Sequence, residues 1–320
     1  MICKKDDNNM NIMFMGTPEF AVASLEALYA HEGFCVTSVV TREDKPRGRG
    51  HKMAHTAVYD CAAAHGTRIY QPKNLKKESF EEILLAEKPD LIAVVAYGRI
   101  LPEYVLEFPR YGCVNVHSSL LPKYRGAAPM QWCVINGEKT SGVTTMLMNK
   151  GLDTGDMLMK EAIDILPDDT FETVHDKLAP IGARLLVSTA ERLADGTAVR
   201  EPQDESLMTY APMIDKATAH IDWTKTADEV RNLIRGLYPF PCAYTVCGGK
   251  IMKIESARTV SDSSAAECGT VTAVGENDFT VSCGGGTALA VERLRPEGKR
   301  SMNTADFLRG NSIERGTVLS

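Results

Sequence analysis

Two mainly apolar runs, at residues 91–98 and 112–117, constrain the fold of this chain more than any other feature. Runs without polar alternation are typical of strands buried on both faces, which occur in parallel sheets covered by helices. Residues 11–16 and 34–41 are similar runs, and a long amphipathic helix is expected at 171–193. The alternation of strands and helices predicts an α/β class with a doubly wound, mostly parallel, Rossmann-like sheet.

The segment that follows the first run has the pattern of a helix start. Thr17 can serve as the N-cap, Pro18 suits the first helical position, and Glu19 places an acid in the first turn. The same segment is not a GxGxxG fingerprint, and no acid ends the second strand. Binding of a nucleotide cofactor is therefore not indicated.

The pattern of the chain changes after residue 221. Short alternating apolar runs separated by Gly-rich turns replace the longer runs, and one short helix is expected at 227–237. The runs lie at 243–247, 251–257, 269–274, 279–283 and 288–293. They predict a small β-barrel of the OB-like type.

The predicted organisation has four parts, and 320 residues are enough for two domains. Residues 1–10 are expected to be a loose N-terminal tail, and residues 11–203 form the catalytic α/β domain. Residues 204–220 are a polar linker, and residues 221–320 form the OB-like second domain.

Composition excludes several classes of protein. No apolar run approaches the ~20 residues of a membrane-spanning helix, and the N-terminus lacks the apolar core of a secretory signal. The nine Cys lack CxxC spacing, which argues against a disulfide framework or a structural zinc site and favours reduced thiols. The net charge of −6 arises in the first part of the chain, since residues 210–320 carry 13 basic and 13 acidic side chains.

Two polar side chains end the run at 112–117. Asn115 and His117 are two residues apart, so in a strand both point to one face, at the carboxyl end where α/β sheets bind ligands. The string NVHSSLLPKYRGAAP begins at Asn115, and GLDTGD, which contains Asp153, begins at residue 151. Singly, each residue has an ordinary structural explanation: a satisfied histidine, a turn asparagine and an Asx turn.

Together, the two strings resemble those of the folate-dependent formyltransferases. The resemblance implies transfer of the formyl group of 10-formyltetrahydrofolate, the co-substrate, to an amine, with no metal and no covalent enzyme intermediate. Asn115 and protonated His117 are expected to donate hydrogen bonds to the oxyanion that forms when the amine attacks the formyl carbon. Asp153 is expected to favour the imidazolium through its opposite charge, and it can relay the amine proton through water.

The resemblance also implies a reduced-folate site in an apolar cleft, between the segment at the end of the 91–98 run and the loop around Asp153. The expected contacts are Tyr97, Gly98, Arg99, Ile100, Leu101, Ser118, Ser119, Leu120, Leu121, Pro122, Gly151 and Leu152. The alternative for Ile100 and Leu101 is a place in the ordinary core. Ser118 and Ser119 are interpreted as turn residues and not as nucleophiles.

The amine acceptor has four candidates: glycinamide ribonucleotide, an amino sugar nucleotide, water and the amino group of methionyl-tRNA. A basic, Gly-interrupted loop at residues 41–52 favours methionyl-tRNA, because it lies beside the strand ends and can meet a polyanion. Its expected tRNA contacts are Arg42, Lys45, Arg47, Arg49 and Lys52. The alternative is a solvated surface loop. An OB-like domain gives a second reason, because such barrels recurrently bind nucleic acid.

Within the family, residues 48–50 and 126–131 are similar to the branch that formylates methionyl-tRNA, and the likeness extends from about residue 11 to residue 317. The chain departs from it at Lys123-Tyr124, where Arg-Trp is expected, and at residues 41–44. The branch implies initiator methionyl-tRNA as partner, a role in translation initiation, a monomer, a cytoplasmic location and no membrane. The rivals are a sugar-nucleotide formyltransferase and an RNA-binding protein with a degenerate catalytic domain.

Overall fold

The structure, a computed structural model, describes residues 9–47, 52–261 and 265–320. The chain divides into two compact units. The first unit contains Met1–Pro129, Ser141–Ile163 and His175–Ala211, and the second contains Met130–Thr140, Asp164–Val174 and Pro212–Ser320. Two short segments from the middle of the chain therefore group with the C-terminal part. The domain limits at residues 203 and 221 stay predictions.

Up to residue 211, the part of the chain that the structure describes contains eleven strands and six α-helices. The strands are β1 (Met10–Gly16), β2 (Phe34–Val40), β3 (Lys45–Arg47), β4 (Lys52–Ala54), β5 (Arg68–Tyr70), β6 (Leu91–Val95), β7 (Cys113–His117), β8 (Arg125–Gly126), β9 (Thr140–Leu147), β10 (Met157–Asp164) and β11 (Tyr210–Ala211). The helices are α1 (Phe20–Tyr29), α2 (Ala57–Ala64), α3 (Lys77–Glu87), α4 (Glu103–Leu106), α5 (Pro129–Ile135) and α6 (Phe171–Ala194).

A seven-stranded sheet with the order β10-β9-β7-β6-β1-β2-β5 forms the centre of the first unit. Strand β1 pairs in parallel with β2 and β6, β2 with β5, and β6 with β7, whereas β9 runs antiparallel to β7. The prediction of a mostly parallel sheet is confirmed. Because the strand order reverses between β1 and β6, the crevice outside their carboxyl ends is where such sheets bind ligands.

The apolar runs are strands because both faces of the sheet are covered. All five residues of Leu91–Val95 are buried. On one side of the sheet, Ile92 and Val94 share an apolar cluster with Phe80 and Leu84 of α3. Burial of each such side chain contributes roughly 1.5–3 kcal/mol relative to exposure. Continuous burial therefore overrides the alternation expected of a half-exposed strand.

The predicted helix start at Thr17 was wrong. Helix α1 begins at Phe20, and Glu19 occupies the N-cap position without a side-chain hydrogen bond. The Thr17 hydroxyl instead donates to the backbone oxygen of Tyr97, at 3.1 Å. A hydroxyl next to the end of β1 can reach the neighbouring strand end, and this tertiary contact replaces the local cap.

The second unit is built around an antiparallel sheet. Its C-terminal elements are α7 (Ala227–Leu237), β12 (Ala243–Cys247), β13 (Lys250–Val260), β14 (Val271–Val274), β15 (Phe279–Cys283), β16 (Thr287–Pro296), β17 (Met302–Asn303) and α8 (Thr304–Gly310). The strand order is β12-β13-β16-β15-β14, with β17 beside β16. The paired strands are antiparallel, so five predicted strands and the helix at 227–237 are confirmed. Closure into an OB-like barrel stays a prediction.

Packing explains why the two mid-chain segments belong to the second unit. The guanidinium of Arg235, on α7, is buried and donates to the backbone oxygen of Asp169 at 2.8 Å. A Cβ added at Gly236 would lie 2.6 Å from Ile135 Cγ1, so the absence of a side chain lets α7 approach that segment closely. The burial lowers the pKa of Arg235.

The cysteines differ in burial and therefore in the pKa of their thiols. Burial raises the pKa of the Cys113 thiol to about 12, and Cys268 is exposed. Seven described cysteines are free thiols, whereas Cys35 is disulfide-bonded, so the expectation of reduced thiols was wrong at that position. Counting cysteines cannot detect a single bond, because a bond forms only where the fold brings two Cα atoms within about 7 Å with their Cβ atoms facing each other. No helix in the described part of the chain is long and apolar enough to cross a bilayer.

Candidate active site

Strand β7 carries the two polar side chains that the sequence singles out. Its neighbours are β6 and β9, and His117 lies opposite Thr144 in the β9 ladder. His117 is buried, and its Nε2 lies 2.9 Å from the backbone oxygen of Tyr124, to which it can donate. Asn115 is half-buried on the same face of the strand. The imidazole is therefore fixed at one nitrogen, and the other faces Asp153.

Asp153 meets both side chains, although it lies 38 residues from Asn115 in the sequence. Its Oδ2 lies 3.7 Å from Nδ1 of His117, and its Oδ1 lies 3.5 Å from Nδ2 of Asn115. The backbone N–H of Gly126 donates to Oδ2 at 2.8 Å. The structure thus brings the three predicted catalytic side chains together at the carboxyl end of β7.

A segment that the sequence interpretation treated as the domain end and linker also reaches this place. Gln203 donates through Nε2 to the backbone oxygens of Asp153 and Gly155, at 2.8 Å each. Its Oε1 accepts from Nε of Arg125 at 2.9 Å. The buried Arg125 also donates to both carboxylate oxygens of Glu205, at 2.9 and 2.8 Å.

The same segment continues as a strand partner of the motif loop. Strand β11 pairs in parallel with β8, and Tyr124 N donates to the Thr209 hydroxyl at 2.9 Å. The hydrogen bond from Arg125 holds the pKa of the Glu205 carboxyl below its ordinary value. Sequence reasoning missed Gln203, Glu205 and Thr209, because no spacing rule joins residues about 80 positions apart.

The predicted folate wall at residues 97–101 has mixed burial. Tyr97 and Leu101 are buried and belong to the core, as the alternative for Leu101 held. Ile100 is 82% exposed, so the core alternative is wrong for this side chain. Gly98 has a φ of 77°, a conformation that favours glycine, and its oxygen accepts from Arg42 at 2.7 Å.

The residues after His117 mainly hold the loop. The Ser119 hydroxyl donates to the Lys123 oxygen at 2.7 Å, and Thr144 donates to the Ser119 oxygen at 2.7 Å. Leu121 packs with Met146 and Met157. Ser118 is buried, whereas Leu120 and Pro122 are half-buried. Of the opposite wall, Gly151 is exposed and the Leu152 side chain is 45% exposed.

A cavity of about 770 Å³ lies beside Arg99 and Ile100. Its wall has a cationic character, since Lys73, Lys76 and Lys77 line it together with Arg99. Arg99 is fixed by donation to the Pro72 oxygen at 2.7 Å. The cavity adjoins the predicted folate wall and is not lined by the three polar side chains. Its cations can attract an anionic ligand, but it contains none of the predicted catalytic groups.

The predicted tRNA loop forms a hairpin of β3 and β4. Arg42 is tied to Gly98, whereas Lys45 is exposed. Asp44 anchors the base of the hairpin: Gln71 donates to it at 2.7 Å and His55 lies 2.8 Å away, and both lower its pKa. Arg49 lies outside the described residues, as do the side chains of Arg47 and Lys52.

Comparison with known proteins agrees with this geometry. The chain matches the formyl transferase family model over residues 10–190 and the model of the formyl transferase C-terminal domain over residues 213–312. The methionyl-tRNA formyltransferase of Clostridium novyi is 50% identical over 311 residues, which cover 97% of this chain and 100% of that protein. The methionyl-tRNA formyltransferase of Agathobacter rectalis is 47% identical, with 97% and 100% covered.

A solved structure gives the same fold at greater distance. The crystal structure of a sugar 3N-formyl transferase, in the presence of dTDP and 5-N-formyl-THF, has a TM-score of 0.66 at 19% identity and covers 91% of this chain and 99% of its own. At that identity the likeness shows the fold alone. The family models and the relatives, which match nearly the whole chain, carry the assignment: this chain belongs to the methionyl-tRNA formyltransferases of the formyl transferase family.

Proposed function

We propose that this chain transfers the formyl group of 10-formyltetrahydrofolate to the amino group of methionyl initiator tRNA. The product, N-formylmethionyl-tRNA, serves translation initiation. The convergence of Asn115, His117 and Asp153 at the end of β7 carries the proposal, because it unites the polar groups that an acyl transfer to an amine requires.

Asn115 and His117 supply the hydrogen bonds that stabilise developing negative charge. The amide of Asn115 has two N–H donors, one of which faces Asp153 at 3.5 Å and leaves the other for a ligand. Nε2 of His117 is committed to the Tyr124 oxygen at 2.9 Å, whereas Nδ1 lies 3.7 Å from Asp153, beyond hydrogen-bond length, and is the ring nitrogen left for a ligand oxygen. Donors of this kind that are already in place act on the transition state without reorganisation.

Asp153 has two proposed roles in this mechanism. Its negative charge lies 3.7 Å from Nδ1 of His117, where it orients the ring. Its carboxylate can also accept, through a water, the proton that the attacking amine loses, and return it to the folate nitrogen whose bond to the formyl carbon breaks. The Gly126 N–H fixes Oδ2, so the other oxygen, Oδ1, is the better placed for the proton. The proposed mechanism uses no side-chain nucleophile, and the Ser119 hydroxyl donates to the Lys123 oxygen.

The residues of the two predicted walls fit a reduced folate. Ile100 and Leu152 each expose apolar surface, which a planar ring system can cover. Residues 97–101 and 151–152 would hold the co-substrate, with Ser118–Pro122 keeping the floor of the cleft in shape. When bound, the folate supplies an activated formyl group, and the cations beside Arg99 favour its carboxylates.

We assign tRNA recognition to two parts of the chain. The basic loop at residues 41–52 provides cations for phosphate contacts near the acceptor end: Arg42, Lys45, Arg47, Arg49 and Lys52. The second domain, at residues 221–320, is proposed to be OB-like and to bind the body of the tRNA, and residues 204–220 to link it to the catalytic domain at 11–203. We propose a monomer that acts in the cytoplasm.

One assay tests the function. The purified chain is given 10-formyltetrahydrofolate and methionyl initiator tRNA, and the formylated product is counted beside parallel reactions with free methionine, an amino sugar nucleotide and glycinamide ribonucleotide. We expect product with the tRNA and none above background with the small amines. Equal or faster formylation of a small amine would overturn the assigned acceptor, and failure with every acceptor would overturn the assigned reaction.

A further inference from the structure

One glutamine ties together the two loops that present the polar groups of the site. Gln203 uses its amide nitrogen for two carbonyls, those of Asp153 and Gly155, and its amide oxygen for Arg125. Each of these contacts is 2.8–2.9 Å long. The side chain has two N–H donors and one oxygen, so both hydrogens are used.

The contacts close a ring around the carboxylate of Asp153. From Gln203 the ring passes to the buried Arg125, along the chain to Gly126, and from the Gly126 N–H back to Oδ2 of Asp153 at 2.8 Å. The ring closes at the backbone oxygen of Asp153, which accepts from Gln203. The carboxylate and the peptide that carries it are thus fixed relative to the same arginine.

The backbone at Asp153 needs this support. Its φ is +54°, in the left-handed region that residues other than glycine rarely adopt and that costs on the order of 1 kcal/mol or more. Such a conformation persists only where surrounding contacts hold it. Gln203 supplies two of these contacts from one side chain, at Asp153 itself and two residues later.

We propose that Gln203 is a positioning residue for formyl transfer, which acts through Asp153, and that Arg125 orients Gln203. The inference rests on the proposed function. It differs from the catalytic assignment because Gln203 need not touch either substrate. Its contribution is to hold Asp153 at its present distances from His117 and Asn115. Misplacement of a reacting group by about 1 Å can cost on the order of 10²-fold in rate.

The first test replaces Gln203 by an apolar side chain of similar length. Gln203→Met should lower kcat by about 10- to 100-fold, while KM for folate and for tRNA stays within about threefold, because only the placement of Asp153 changes. Glu201→Ala is the matched control. Glu201 lies two residues away and its side chain pairs with Lys160, at 3.4 Å on the surface, so kcat should remain at the wild-type value.

A double mutant separates positioning from a general structural role. In an Asp153→Asn background, Gln203→Met should lower kcat by no more than about twofold, because the group that Gln203 positions is already lost. A residue that only stabilised the fold would lower the active fraction by the same factor in both backgrounds. Equal factors would therefore overturn the proposal.

Gln203→Asn keeps the test decisive if Gln203→Met does not fold. Asparagine retains the amide but is one methylene shorter, so it cannot reach both carbonyls and Arg125 together. We expect it to fold and to lose more than about threefold in kcat at unchanged KM. Wild-type kcat in folded Gln203→Asn and Gln203→Met would overturn the inference. A wild-type chain that formylates nothing would instead refute the proposed function.

Discussion

The N–H of Gly126 and the carboxylate of Asp153 are joined at 2.8 Å, and the oxygen that accepts this bond also lies 3.7 Å from Nδ1 of His117. One peptide group in the motif loop therefore orients the carboxylate that faces the imidazole. This explains why the loop that follows β7 and the loop that follows β9 must fold together before the site has its geometry.

Loss of any of the three polar side chains should abolish most of the activity. Asn115→Ala, His117→Ala and Asp153→Ala are each expected to lower kcat by about 10²-fold or more, the usual cost of a lost oxyanion donor or acid–base group. Steady-state formylation measures this. His31→Ala is the control, since the contacts of its ring, to Glu191 at 3.1 Å, to the Gly33 N–H at 3.1 Å and to the stacked Phe34 ring, include none of the three polar side chains. Near-normal turnover of folded His117→Ala would remove His117 from the mechanism.

A methyl group at Gly126 should both destabilise the chain and slow the reaction. Its φ is +121°, and an added Cβ would lie 2.7 Å from the Ala211 oxygen. We expect Gly126→Ala to cost about 1–3 kcal/mol or more in the free energy of unfolding. Denaturant titration measures the loss. Gly196→Ala, with a φ of +71° but open space, should cost less, and Gly310→Ala least. The opposite ranking would contradict the close approach.

Arg42 and Lys45 should have separable effects although they are three residues apart. Arg42→Ala removes the hydrogen bond to the Gly98 oxygen and should raise KM for folate as well as weaken tRNA binding. Lys45→Ala and Arg49→Ala should weaken tRNA binding and leave KM for folate unchanged. Each lost phosphate contact should reduce the slope of log binding constant against log salt concentration by about one unit. Binding at several salt concentrations measures this. An unchanged slope in all three would return the hairpin to an ordinary solvated loop.

The ion pair of Arg125 and Glu205 should appear in the pH dependence of stability. The pKa of Glu205 in the folded chain lies below its ordinary value, because Arg125 donates to the carboxylate. The pair therefore stabilises the fold fully at a pH above the pKa in the unfolded chain, about 4.3. The stabilisation is lost as the pH falls through the lower pKa of the folded chain. The Tm of wild type should exceed that of Glu205→Gln by a constant amount from about pH 7 to pH 5, and the gap should close below about pH 4. A gap that widens in acid would contradict this pairing.

The apolar runs were enough to predict the sheet. The spacing of two residues, with the rule that ligands bind at the carboxyl ends of parallel strands, was enough to predict that Asn115 and His117 lie together at the site. Buried parallel strands have a composition that single sequences reveal, and a period of two places alternate residues on one face. Asp153 was identified by resemblance to the family, and the structure places its carboxylate beside His117 and Asn115. Its geometry required a turn with a φ of +54°, which aspartate tolerates but which the sequence of the loop does not specify.

The contacts of Gln203, Thr209 and Arg235 could not be predicted in the same way. Each joins residues about 50–85 positions apart through side chains whose types are common on surfaces. At Thr17 a local pattern predicted a contact that does not form. Threonine is a common helix N-cap, but here its hydroxyl donates to the backbone oxygen of Tyr97 at the end of the neighbouring strand. Local rules describe preferences, and long-range hydrogen bonds decide between them.

The ring of contacts around Asp153 has a consequence for the order in which a ribosome completes this molecule. Asp153 is synthesised 50 residues before the side chain that holds it, and the β8–β11 pairing waits for Ala211. The sheet strands up to β7 can form earlier, since domains fold from the N-terminus during synthesis. A nascent chain with most of its sheet in place thus lacks a finished site, and its activity switches on only after the segment that leads to the second unit has emerged.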